Sequence, residues 1–384
     1  MKRRDFFKVA AAAGVSYAAA PVLKAADNSL MYGGSQVIGT NIADASKTPR
    51  TKGSMPGLFP GKVVKAVDTR SVNEQGAHDQ DVIYNMLKDS MLALTGEKSL
   101  KKAWRLFVSP KDVVGLKVNP VAGRLLTTSH AVTKSVIKQL EEAGIPRANI
   151  VIWDRREMQL HETGYTSENY PGIRITGTEC MDENGGFYDK DGKLYSESRI
   201  DKEHFFYADL EGSYDDYTIP YMVNGGKHSY FTGIVTNQLT KIINLPILKN
   251  AGPTTTLALK NLSFGSVTNT GRLHRLWHET CAYVCAFSPL RDKVVLNIAD
   301  GITGCFEGGP SAKPQYICNY NLLLVGSDPV AVDRVGHDII IAKRIEEGIQ
   351  KDDNPQASRF IDLAQELKLG IGDRDRIELK EIVS

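Results

Sequence analysis

The chain has 384 residues, with 47 basic and 45 acidic side chains and a formal net charge of +2. At 42% hydrophobic and 24% charged it has an ordinary globular composition, which excludes a disordered chain, a collagen-like repeat and a disulfide-dense miniprotein. A charge this near neutral argues against a protein that coats nucleic acid, and no apolar run of about 18 residues marks a multispanning membrane protein.

At the start of the chain, Lys2-Arg3-Arg4-Asp5-Phe6-Phe7-Lys8 precedes an alanine-rich stretch from Val9 to Leu23, then small residues at Ala25 and Ala26. A basic region, a short apolar region and a small-residue exit predict a signal peptide over residues 1–25, with no stable membrane anchor after cleavage. The paired arginines resemble a twin-arginine signal, which implies the twin-arginine translocase as a partner and a periplasmic or otherwise exported destination. Residues 1–25 carry five basic groups (Lys2, Arg3, Arg4, Lys8, Lys24) and one acidic group, Asp5, so the remainder has 42 basic against 44 acidic groups. Local lysines, not global charge, would then attract an anion.

Residues 26–60 are rich in Gly, Ser, Thr and Pro and read as an extended linker or arm. From residue 61 to 384 the pattern predicts a single α/β domain with a mostly parallel, mixed sheet flanked by helices. Lys62–Val67, Val113–Val118 and Ile150–Trp153 read as strands, and Asp81–Leu94 as a helix. A second helix follows the cap cluster Thr127-Thr128-Ser129 and stops at Gly144 and Pro146. Residues 155–230 break the rhythm and read as a polar, aromatic, β-rich insertion, with Asp191-Gly192 as a hairpin turn. Strands at Leu239–Leu245, Lys293–Ala299 and Tyr320–Val325 resume the sheet, and helices at Val330–Arg344 and Ala357–Leu367 close it.

Ligands of open α/β sheets sit beyond the carboxyl ends of the strands. There stand Lys117 and Asn119, Asp154 to Arg156, Lys249, then Thr254 to Thr256, Lys260 and Asn261. Asp300, Glu307, Asp328 and Asp333 follow the later strands. This convergence suits a small anionic ligand. Lys249, Lys260 and Asp333 are the candidate catalytic groups; Lys117, Asn119 and Asn261 are candidate cofactor-binding groups; Asp300, Glu307 and Asp328 are candidate ligands of a divalent metal. A buried lysine can also form an imine or take a proton from carbon. Asp-Gly and Asp-Pro serve equally as turn and cap chemistry, and Thr254 to Thr256 as a helix cap.

The segments Val114 to Asn119, Ile243 to Lys249, Leu259-Lys260-Asn261, Asp300-Gly301 with Glu307 to Pro310, and Gly326 to Asp333 resemble domain of unknown function 362 in that order. The resemblance implies a bacterial and archaeal family without settled biochemistry, some of whose members carry iron–sulfur modules. Many members have a histidine two positions after the lysine matching Lys249, where this chain has Ala251. The layout is also similar to the amino-terminal domain of nickel-pincer lactate racemases, with Lys260 as the analogous lysine.

The five cysteines are Cys180, Cys281, Cys285, Cys305 and Cys318. The last four form a candidate iron–sulfur or zinc set, with a disulfide or buried thiols as alternatives. His274 and His278, with Glu279, are a further candidate metal pair or else an amphipathic helix face. Neither a Walker A motif, a Gly-x-Gly-x-x-Gly fingerprint nor a Gly-x-Ser-x-Gly elbow occurs, which argues against nucleotide binding and a serine hydrolase. The expected function is an exported metal- or cofactor-dependent enzyme acting on a small anion, an oxidoreductase or isomerase. The alternative is a periplasmic binding or iron–sulfur electron-carrier protein without turnover.

Overall fold

The computed structural model describes residues 38–180, 199–211, 226–251, 254–350 and 355–384. The expected signal at 1–25, the first part of the expected arm and the hairpin expected around Asp191-Gly192 lie outside the described residues. The chain forms β1 (Lys62–Val67), α1 (Gln80–Thr95), α2 (Leu100–Arg105), β2 (Val114–Lys117), α3 (His130–Glu142) and β3 (Ile150–Arg156). Then come α4 (Glu157–Glu162), β4 (Arg174–Glu179), β5 (Ile200–Tyr207), β6 (His228–Thr232), β7 (Lys241–Asn244), β8 (Ile247–Ala251) and β9 (Thr254–Thr256). The remainder comprises α5 (Ala258–Ser266), α6 (Trp277–Ala286), α7 (Ser288–Arg291), β10 (Val294–Gly309), β11 (Ile317–Cys318), β12 (Leu322–Gly326), α8 (Pro329–Glu346), α9 (Arg359–Glu366) and β13 (Glu378–Val383).

Eleven strands make one mixed sheet: eight follow the path β13-β1-β12-β10-β7-β2-β3-β4, while β8 and β11 pair with β10 and β9 pairs with β8. Pairing is parallel from β10 through β7, β2 and β3 to β4, and again between β1 and β13; β12 is antiparallel to both β1 and β10. Helices cover both faces, so the strands read as continuous apolar runs rather than alternating ones. In β1, Val64 joins the cluster with Ile83 and Leu87 of α1, and its neighbour Val63 joins the opposite cluster with Ala331 and Val332 of α8. Each such fully buried aliphatic side chain contributes about 1.5–3 kcal/mol.

Local chemistry sets the helix limits. The Asp79 carboxylate accepts from the amides of Asp81 and Val82 at the start of α1, and Gly96 ends it with φ 74°. Ser129 caps α3 in the same way, accepting from Ala131 and Val132. The conformation at Gly144 (φ 85°) stops that helix where the Gly-Pro signal places the end.

Three departures from the sequence reading matter for the site. The region read as an insertion contains β4, which pairs in parallel with β3 and continues the main sheet. Among the described residues, only β5 and β6 form a separate two-stranded sheet. The strand expected to end near Ala299 runs on to Gly309, and along it β8 pairs in parallel, placing Lys249 opposite Cys305. Thr254 to Thr256 form β9, antiparallel to β8, rather than a helix cap. Among the described residues, no helix is long and apolar enough to cross a membrane.

Candidate active site

At the carboxyl ends of β2, β3 and β8 and the first turns of α5 lies a cavity of about 230 Å³. Lys117, Asn119, Asp154, Arg155, Arg156, Lys249, Lys260 and Asn261 line it, together with Thr256, Phe264, Gly265 and His274. The sequence reading named the first eight from their place after the strands. Gly265, Phe264, Gln159 and Val121 carry no charge pattern, and only the fold brings them in; Pro310 ends the Glu307 to Pro310 motif.

The wall is built as one hydrogen-bonded network. Lys117, last residue of β2, is 1% exposed. Its Nζ makes an ion pair with Asp154 Oδ1 and donates to Val118 O at 2.9 Å and Asn261 Oδ1 at 3.1 Å. Asn119 Nδ2 donates to the same Asn261 oxygen at 3.0 Å, and Lys249 Nζ donates to Asn119 Oδ1 at 2.9 Å. Asn261 in turn donates to Asn244 Oδ1 at 2.8 Å, and Asn244 to Asn297 Oδ1 at 3.0 Å. A buried polar network stabilises only when its members are satisfied, and this one fixes the amide orientations.

Gly265 makes the Lys117–Asp154 pair sterically feasible. A Cβ there would stand 2.2 Å from Lys117 Cε and 2.6 Å from its Nζ. Lys260 lies differently: its Nζ sits 4.0 Å from the Trp277 ring centroid and 5.1 Å from that of Phe264, a cation–π cradle, and the residue is only partly buried. Burial pushes the Lys249 amine down to about 7, aided by the positive charge of Lys260. Burial likewise lowers Lys260 to about 8. Lys117 is also lowered by burial, with Asp154 opposing the shift. His274 is held at about 4 by burial and by Lys260, so it is a neutral imidazole at neutral pH. Arg155 and Arg156 both reach the buried carboxylate of Glu179, at 2.7 and 3.1 Å.

The expected carboxylates do not join this group. Asp300 accepts from the amides of Ser129 (2.7 Å) and Ile302 (3.0 Å). Asp328 caps α8 and also accepts from Gly61 and Ile371, so four backbone donors occupy it. Glu307 is ion-paired with Arg344 and bonded to its own Gly308 amide. These three are structural acceptors, and the structure does not bring them together as metal ligands. Asp333, expected as catalytic, accepts from the amides of Ala258 and Leu259; it caps the helix that carries Lys260 and Asn261 and does not line the cavity.

The cysteine set is also not assembled. All five are free thiols. Cys281 and Cys285 are fully buried in α6, and Cys285 bonds to Leu259 O at 3.5 Å. Cys305 and Cys318 lie on β10 and β11. His274 and His278 diverge, the first packing on Phe264 and Trp277 and the second stacking on Phe360. Among the described residues, no three His, Cys, Asp or Glu side chains are placed to hold one metal ion. The described residues do not assemble a site for the divalent metal or iron–sulfur cluster that the sequence suggested.

A family model described as a domain of unknown function (DUF362) matches residues 114–338. The chain belongs to this family. In this DUF362 member the cavity is lined by the motif residues Lys117, Asn119, Lys249, Lys260 and Asn261, and Ala251 is fully buried. A solved structure of a Thermotoga maritima protein, a structural-genomics target, is similar at 9% identity with a TM-score of 0.37, over 69% of this chain and 59% of its own. The DUF362 chain therefore spans less than two thirds of that protein. No curated protein matches it.

Proposed function

We propose that the protein is an exported enzyme that takes a small anionic substrate into this cavity and acts on it by lysine chemistry. One observation carries the reading: Lys249 and Lys260 face one cavity, and the only carboxylate lining it among the described residues, Asp154, is already paired with Lys117. An anion entering the space supplies the missing counter-charge to two desolvated amines. Lys249, held by Asn119, anchors the anion. Lys260, open to the cavity and largely protonated at neutral pH, is the group placed to give a proton to the substrate as a general acid. Asn119 and Asn261 fix the geometry, and the aromatic faces of Phe264 and Trp277 keep water from the amine.

Thermal-shift and calorimetric titration with inorganic phosphate and small carboxylates tests the binding. A midpoint rise that disappears in Lys249→Ala and in Lys260→Ala is the expected result. An unchanged ligand response in both variants would place the site elsewhere. Turnover is followed by NMR on the anions that bind; product formation that stops in a folded Lys260→Ala protein separates an enzyme from a binding protein. Cell fractionation after Arg3→Lys with Arg4→Lys tests export, which is expected to fail in the double variant.

A further inference from the structure

We infer that the anion this cavity takes is a small dianion that also carries a hydroxyl group, such as a hydroxylated phosphate monoester or a hydroxy-dicarboxylate. The inference rests on the anion-binding reading above and specifies what that anion must be.

The charge follows from the lysines. Lys117 has a carboxylate partner in Asp154, but neither Lys249 nor Lys260 has one among the described residues. Arg155 and Arg156, which also line the space, both pair with Glu179; the two lysines left without a carboxylate call for at least two negative charges, and a monoanion leaves one ammonium uncompensated. The volume, about 230 Å³, accommodates a ligand of a few carbon atoms or one phosphoryl group with a short chain.

The hydroxyl follows from Asp154. This carboxylate lines the cavity, is 2% exposed, and uses Oδ1 for Lys117. Its Oδ2 is fully buried and has no donor among the described groups. A buried carboxylate oxygen without a donor is costly, and most such atoms in native proteins are satisfied. The group that satisfies it must be a donor. An ammonium on the ligand would stand among Lys117, Lys249 and Lys260 and be repelled by all three. A hydroxyl donates without bringing positive charge and at Oδ2 forms a charge-assisted bond. Asp154 is thus a specificity-determining residue that tells a hydroxylated dianion from its deoxy analogue.

Calorimetric titration of the full mature chain with matched probes tests this: glycerol 1-phosphate against propyl phosphate, malate against succinate and fluorosuccinate, and glycerate as the monoanion. The hydroxylated dianion is expected to bind about ten- to a hundredfold tighter than its deoxy partner, the range for a hydrogen bond to a charged group. The fluoro analogue, an acceptor of similar shape, should gain nothing. Which pair shows the tighter member distinguishes the phosphate ester from the dicarboxylate. In Asp154→Asn, checked for folding by circular dichroism, the hydroxyl preference should fall to within about threefold while some anion affinity persists. Equal binding of hydroxylated and deoxy dianions by the wild-type chain overturns the inference and leaves the anion site standing. Absence of binding by every dianion overturns both. Because the ligand comparison needs no variant, a failure of Asp154→Asn to fold does not protect the idea.

Discussion

Asp333 accepts the amide hydrogen of Ala258 at 2.5 Å across 75 positions of sequence, and that of Leu259 at 3.0 Å. The side chain of one helix therefore caps another, two residues before Lys260. Burial raises the Asp333 carboxyl to about 7 despite these donors. In Asp333→Asn an amide N–H would face a backbone N–H, and one of the two bonds is lost. We expect a stability loss of about 1–3 kcal/mol. Anion affinity should fall with it, because Lys260 and Asn261 ride on the capped turn. Chemical denaturation and titration of the same variant check both; a loss of stability with unaltered affinity would separate the cap from the site.

Lys249 and Lys260 give the ligand-free protein a pH signature. Burial lowers their amines to about 7 and 8 in the folded chain, against an ordinary lysine value of 10.5. Between these values the unfolded chain holds more protons than the folded one, so this contribution makes stability rise as pH increases from about 7 to 10. Lys249→Met and Lys260→Met should each flatten the rise. Binding runs the other way: an anion draws protons onto the amines, so affinity should weaken above about pH 8, by up to tenfold per pH unit for each lysine engaged. Calorimetry in buffers of different ionisation enthalpy would report the proton uptake directly.

The Lys117–Asp154 pair is predicted to be sensitive to losing one partner and tolerant of losing both. Lys117→Met leaves a buried carboxylate uncompensated and should cost about 3–5 kcal/mol. Lys117→Met with Asp154→Leu should recover most of this in denaturant melts. A double-mutant cycle showing no coupling would mean that the pair does not matter to the fold.

Gly265→Ala offers a steric test. Its new Cβ would overlap Lys117 Cε at 2.2 Å, so the buried lysine would have to shift from its place beside Asp154. Overpacking of this kind costs about 1–3 kcal/mol. The displaced amine should also lose Asn261, so ligand response and stability are expected to fall together in a thermal-shift assay.

The α/β class and the main strands were legible because doubly covered strands are apolar throughout and helices carry caps of their own. Lys117, Lys249 and Lys260 were legible because each follows a strand end or the short turn after it. The carboxylates were not, since an acid after a strand has the same local sequence whether it faces a ligand or a distant amide. Asp300 meets Ser129 and Asp333 meets Ala258 only in the folded chain. Pro246 hid β8 by separating it from β7 with a residue that reads as a break. β4 was hidden by its polar pattern, Arg174 to Glu179, at the sheet's edge. Asp154 reads in sequence only as the residue after the apolar run Ile150–Trp153; its missing donor is a property of three-dimensional burial that no spacing reveals.

The asparagine relay bears on assembly as well as on chemistry. Asn244 of β7 and Asn297 of β10 are register partners, and their side-chain amides meet directly, with Asn297 donating onward to the carbonyls of Gly326, which ends β12, and Ser327. A slip of one residue in either strand would turn its amide to the other face of the sheet and strand the partner in an apolar layer. Misaligned sheets are thereby penalised before any ligand arrives, so the residues that orient the cavity also proofread the pairing of the strands that build it.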